Sequence, residues 1–105
     1  MVTEAQLQQA VIELARLLGY RVAHFRPAKT ERGWRTPVEA DGKGFPDLVL
    51  AKPNRLVFVE LKAAKGKVSD EQKDWLATLG STGAEAYIFR PEGWSSGAIE
   101  KCLRG

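Results

Sequence analysis

Two apolar stretches on either side of one tight turn constrain this chain more than anything else in it. Residues 47–51 (DLVLA) and 55–62 (RLVFVELK) flank the turn KPNR. Proline and asparagine are turn formers, so the two runs read as neighbouring antiparallel strands. Both faces of both strands are largely apolar, as central strands covered from two sides require. Yet charges crowd one end of this pair: Asp47 opens the first run, and Glu60 and Lys62 close the second.

The flanking sequence supplies covering elements. TEAQLQQAVIELARLLGY carries Leu7, Ala10, Val11, Leu14, Leu17 and Leu18 at helical spacing, one apolar stripe. Thr3 with Gln6 forms a capping box, and Gly19 stands where a C-terminal cap belongs. YRVAHFR reads as a short strand. Residues 27–44 hold two prolines, three glycines and seven charges, and read as a long loop without periodicity. SDEQKDWLATLG is a second helix with Ser69 as N-cap and Gln72 completing another capping box. EAYIFR is a fourth strand, and SSGAIEKCLR a short terminal helix. The order is αβββαβ plus a C-terminal helix, an α/β chain with a mixed four-stranded sheet. The central pair is expected to be antiparallel, and the last βαβ step a parallel crossover.

If the turn centres between Pro53 and Asn54, Lys52 faces Arg55, Leu50 faces Val57, and Asp47 faces Glu60. Directly opposed residues lie about 4.5–5.5 Å apart at Cβ. Alternation then puts Glu60 and Lys62 on one sheet face and Leu61 on the other. Two ionised carboxylates so close repel, and need either a cation or a shifted pKa. A divalent ion held by oxygen ligands answers this, and such ligands point to Mg²⁺ or Mn²⁺ rather than zinc. A structural ion pair between Lys62 and either acid answers it too.

Composition narrows the function classes. The 105 residues make one domain, 1–105, and 44% apolar with 28% charged content is that of a globular chain, not a disordered one. The single Cys102 rules out an internal disulfide or a CxxC zinc site and reads as an ordinary helix thiol. No apolar run has the length of a membrane span, and the N-terminus is a polar helix rather than a signal peptide, so a cytoplasmic protein without a membrane partner is expected. The net charge of +3 and pI of about 9.2 matter through their distribution. Six basic residues (Arg16, Arg21, Arg26, Lys29, Arg32, Arg35) face only Glu31 between positions 16 and 35. Six more, from Lys43 to Lys67, face only Asp47 and Glu60. Such clustering suits a polyanion such as nucleic acid, and a solvated basic surface is the plain alternative.

At this point the residues resemble a family. Gly44-x-Pro46-Asp47, an interval of thirteen to Glu60, then VELK and the QxxW of Gln72 and Trp75, are similar to the PD-(D/E)xK nuclease motif as the VRR-NUC domain carries it. The resemblance runs from the first helix to Arg90. It implies a restriction-endonuclease-like core and Mg²⁺- or Mn²⁺-dependent hydrolysis of DNA, with no small-molecule cofactor. By that resemblance Asp47, Glu60 and the Leu61 carbonyl hold the metal, and Glu4 completes the site from the first helix. Lys62 is the catalytic lysine, and Gln72 matches the glutamine that follows the ExK motif. Glu13 rivals Glu4 from the opposite flank of the stripe, and a first-turn acid also explains Glu4 through the helix dipole. The capping box explains Gln72 as well as a catalytic role does.

His24 reads as a strand residue near phosphate rather than a base, and Trp75 as core packing. Trp34 and Trp94 either stack on bases or cover the core. Arg26, Lys29, Arg32, Arg35, Lys65 and Lys67 are the candidates for holding the phosphate backbone. Nothing resembles a base-reading module, so selection of DNA by shape is expected over selection by sequence. The resemblance to minimal family members implies a homodimer acting on branched DNA, four-way (Holliday) junctions first. A flap nuclease, a sequence-specific restriction-type enzyme and a catalytically silent binding module are the alternatives.

Overall fold

The computed structural model describes residues 2–25, 28–30, 33–35 and 39–105, with backbone alone for 28–30 and 33–35. Helix α1 (Glu4–Leu17) starts where its capping box sets it: the Thr3 hydroxyl accepts from the Gln6 amide, and the Gln6 side chain accepts from the Thr3 amide. It stops in a Schellman turn. Gly19 takes φ +91°, which lets its own amide donate to the Arg16 carbonyl and that of Tyr20 to the Ala15 carbonyl.

Strand β1 (Arg21–His24) follows. Residues expected to be loop then include a short antiparallel hairpin, β2 (Ala28–Thr30) with β3 (Gly33–Arg35). Three-residue strands are too short to show an alternating pattern, which is why the sequence reads there as loop. The central hairpin is β4 (Leu48–Lys52) and β5 (Arg55–Leu61). Its register is the expected one: Lys52 pairs with Arg55, Leu50 with Val57 and Leu48 with Val59. Asn54 adopts φ +68° after Pro53, a left-handed conformation that asparagine tolerates in turns.

Helix α2 (Asp70–Ser81), again begun by a capping box at Ser69, leads to β6 (Glu85–Phe89), which runs parallel to β5. The C-terminal region divides into α3 (Pro91–Ser95), with Pro91 in its first turn, and α4 (Ala98–Arg104). The sequence pattern showed one helix there; Gly97, at φ +82°, separates the two. The sheet order is β1-β4-β5-β6, so the hairpin is central and the sheet mixed, the restriction-endonuclease-like core.

Alternation along the central strands sorts the residues. Leu48, Leu50, Val57, Val59 and Leu61 face α1 and α4, packing with Leu7, Val11, Ala15, Phe89, Ile99 and Leu103 in the core. Cys102 packs half-buried against its rim. The intervening positions face α2, where Phe45 meets Phe25, Phe58 and Trp75 edge-on at centroid distances of 5.0–5.9 Å. Trp75 is thus half-buried in an aromatic cluster, and its indole N–H donates to the Asp41 carbonyl.

At the turn end of the sheet, Arg55 fastens three elements. Its guanidinium makes a two-pronged bond to Glu85 at 2.9 Å and donates to the Tyr20 hydroxyl and to the carbonyls of Cys102 and Leu103 at the end of α4. Of these last carbonyls, Cys102's takes only the Gly105 amide at 3.2 Å and Leu103's takes no backbone donor among the described residues, so a cation there satisfies them. No helix among the described residues is long and apolar enough to cross a membrane.

Candidate active site

The other end of the sheet gathers the charges. The β4–β5 ladder closes at Leu48 and Val59, and Asp47 stands one residue beyond it, after the buried Pro46. Its side chain stands in for the missing rung: Oδ2 accepts from the Leu61 amide at 2.9 Å, while its carbonyl accepts from Phe25. Asp47 thereby fastens β1, β4 and β5 at the point where all three end.

Glu60 projects from β5 toward α2 and is 2% exposed. Its Oε2 accepts from the Gln72 amide group at 2.9 Å and lies 3.6 Å from the Lys62 ammonium. Its Oε1 is buried with no partner. Burial first, then the Asp47 carboxylate, push the Glu60 carboxyl up to about 8, with Glu4 adding in the same direction and Lys62 opposing. The Lys62 ammonium only partly offsets the burial and the carboxylate neighbours.

Gln72 makes the expected capping bond and a second bond, to Glu60. Its Oε1 accepts from the Ser69 amide and closes the capping box, and its Nε2 reaches Glu60. A glutamine has an acceptor and a donor at opposite corners of one planar group, so one rotamer satisfies both.

The first turn of α2 is brought to Glu60 by the segment before Asp47. Gly44 adopts φ +87°, and a Cβ there would lie 2.6 Å from Glu71 and 2.8 Å from the Gln72 amide nitrogen. Only glycine permits that approach. This close contact has no local signature beyond the glycine itself.

Glu4 opens α1, is exposed, and is near enough to act electrostatically on Glu60. Glu13 is also exposed and accepts from the Gln9 side chain a turn away. His24 pairs in register with Leu48, on the face opposite Glu60. Lys65 and Lys67 are exposed just after Lys62. Arg26 and Arg32, and the side chains of Lys29, Trp34 and Arg35, lie outside the described residues. Trp94 is 36% exposed on α3.

A metal ion would find hard oxygen donors here: the Asp47 and Glu60 carboxylates and the Leu61 carbonyl. Among the described residues no three His, Cys, Asp or Glu side chains converge to hold an ion by themselves. The two carboxylates would therefore need backbone or water oxygens to complete a shell. The unpartnered Glu60 Oε1, on a carboxyl that Asp47 pushes up, is the observation that fits a cation.

Mixed sheet, flanking helices and strand order place the protein in the restriction-endonuclease-like class. Within it, the VRR-NUC domain matches residues 4–91, and the chain belongs to that nuclease family. The chain is also similar in structure to Hjc, a Holliday junction resolvase from Archaeoglobus fulgidus, with 23% identity and a TM-score of 0.47. That match covers 80% of this chain and 66% of the other, a little under two thirds of its length. A search of curated proteins gives no match.

Proposed function

We propose that the chain is a Mg²⁺- or Mn²⁺-dependent endonuclease that hydrolyses phosphodiester bonds in branched DNA, four-way junctions first, as a homodimer built from one nuclease domain per chain. The observation that carries this reading is the pair of converging carboxylates, one with a buried unpartnered oxygen, beside a lysine at the end of the sheet.

Asp47, Glu60 and the Leu61 carbonyl would hold the ion, with Glu4 reaching it through water. When bound, the ion supplies polarisation of the scissile phosphate and a more acidic water. Gln72 fixes Glu60 through Oε2 and leaves Oε1 for the ion. The Lys62 ammonium, only 15% exposed at its side chain, orients the attacking water and offsets charge growing on the phosphate. Arg26, Lys29, Arg32, Arg35, Lys65 and Lys67 hold the backbone of the DNA by charge, which gives affinity without reading bases. The junction and the dimer rest on the resemblance to minimal family members.

Cleavage of end-labelled duplex, flap, splayed and four-way DNAs with Mg²⁺ and with Mn²⁺ tests the reading. The expected outcome is paired nicks in opposed junction arms. Cutting of 5′ flaps alone, or of one duplex at a fixed sequence, would reassign the substrate. Binding without cleavage under either ion would make the chain a silent nucleic-acid-binding module.

A further inference from the structure

We propose that Arg90 is a positioning residue for Lys62, acting through the turn at 63–66; this rests on the catalytic reading of Lys62 above. Lysine is a point charge on a long flexible stem, so a catalytic ammonium needs its stem held. Glu60 fixes one side of the Lys62 ammonium at 3.6 Å. What holds the stem comes from β6.

The Lys62 amide donates to the Phe89 carbonyl at 3.1 Å, which carries the β5–β6 pairing one residue past the ladder. Arg90 follows in extended conformation and sends one guanidinium nitrogen back across the gap. Nη1 donates to the Ala63 carbonyl at 2.8 Å and to the Gly66 carbonyl at 2.9 Å. The turn is closed by its own bond from the Gly66 amide to the Ala63 carbonyl at 3.0 Å.

Closed in this way, the turn folds back over Lys62: a Cβ on Gly66 would lie 3.4 Å from Lys62 Cδ. The turn residues Ala63, Ala64 and Gly66 have almost no side chain with which to anchor themselves. The Arg90 bonds are charge-assisted and partly buried, the stronger kind. Removing them frees the turn, and with it the cover on the Lys62 stem. A displacement of about 1 Å in a catalytic group is enough to cost roughly 100-fold in rate.

The test uses the full chain carrying Arg90→Ala, Arg90→Lys or Lys62→Ala. The first readout is the rate at which Lys62 is acetylated, followed by mass spectrometry, with the exposed Lys73 and Lys101 as internal references. Lys62 is expected to label about fivefold faster in Arg90→Ala, with the references unchanged and Arg90→Lys in between, as expected when an ammonium replaces a planar fork. Equal Lys62 labelling in a folded variant overturns the proposal, whether or not the protein cuts DNA. Should Arg90→Ala fail to fold, Arg90→Lys carries the same comparison.

The second readout is cleavage. Arg90→Ala should lower kcat by about 10- to 100-fold at little change in KM. It should cost nothing further in the Lys62→Ala background, because both changes act through one group. A rise in KM alone, or losses that add across the two positions, would assign Arg90 to DNA binding or to stability and overturn the proposal. If the unaltered protein cuts nothing, the catalytic reading of Lys62 fails, and the labelling rates still decide the tether.

Discussion

At the scale of single residues, the site is a balance of charge that an ion would complete. Asp47→Asn and Glu60→Gln keep the size and much of the hydrogen bonding of the originals, and each is expected to abolish cleavage while leaving DNA binding. The same pair gives a test without DNA. If Mn²⁺ binds between these carboxylates, an ion at about 100 times its dissociation constant adds roughly 2.7 kcal/mol, a rise in melting temperature of the order of 10 °C for a chain this size. Glu60→Gln should melt higher than the original without ions, having lost a buried repulsion, and should gain little from Mn²⁺. A Glu60→Gln protein that cuts at the original rate would sink the assignment. Gln72 gives a sharper test. Gln72→Glu keeps the acceptor that closes the capping box but sets a third carboxylate against Glu60, so cleavage should fall while α2 stays folded by circular dichroism. Unchanged cleavage would mean the Gln72–Glu60 bond has no part in activity. Asp47, Glu60 and Lys62 could be placed together from sequence because a two-residue turn fixes the hairpin register, and register fixes which side chains share a face. The partners that come from elsewhere in the chain, such as Arg90 on its turn, were not legible. Nothing local marks an arginine whose acceptors are carbonyls 24 to 27 positions away.

Elements are held together by contacts of the same non-local kind. The first turn of α2 sits on Gly44, and the Gln72–Glu60 bond depends on that seat. Gly44→Ala would force a left-handed alanine, costing about 1–2 kcal/mol, and would push a methyl group into Glu71. A fall of at least about 4 °C in melting temperature is expected, with a cleavage loss larger than the stability loss explains. A variant that melts lower but cuts normally would detach α2 from the site. At the turn end, Arg55 holds Glu85 low: the two-pronged bond to the guanidinium, helped by the Tyr87 hydroxyl, brings this carboxyl from 4.5 to about 2. A depressed carboxyl contributes stability above its ordinary value and loses it as pH falls toward the folded one. Melting temperature should therefore drop between about pH 4.5 and 2 in the original protein. In Glu85→Gln that part of the drop should be missing, and parallel curves would show that the pair contributes nothing. Long elements were legible because their periodicity and capping boxes agree, as in α1 and α2. The β2–β3 hairpin and α3 were not, since three to five residues carry too little pattern to outweigh their glycines and prolines.

For the whole molecule the question is how one small site deals with two strands. A junction is resolved only when opposed strands are both cut, and the described residues of one chain carry one candidate cluster. Two copies about a twofold axis would present two clusters to a twofold-symmetric substrate, and closed pairs are the commonest small assembly. A stable pair needs about 800 Å² from each partner, roughly a ninth of the 7265 Å² surface here. Leu56, Ile88 and Trp94, each more than a third exposed, offer apolar material for it. Light scattering is expected to give twice the chain mass. The stronger test mixes subunits: original protein co-expressed with tagged Glu60→Gln, the mixed dimers being purified through the tag. A mixed dimer still binds the junction but has one working site, so end-labelled arms should show single nicks on either strand and few resolved products. The unmixed original should show symmetric pairs. If the chain acts alone, mixed preparations would resolve junctions in proportion to the original protein they contain, with paired nicks unchanged. That result, or a monomer by light scattering that cuts flaps and spares junctions, would remove the dimer and the junction from the proposal and leave the nuclease family membership standing.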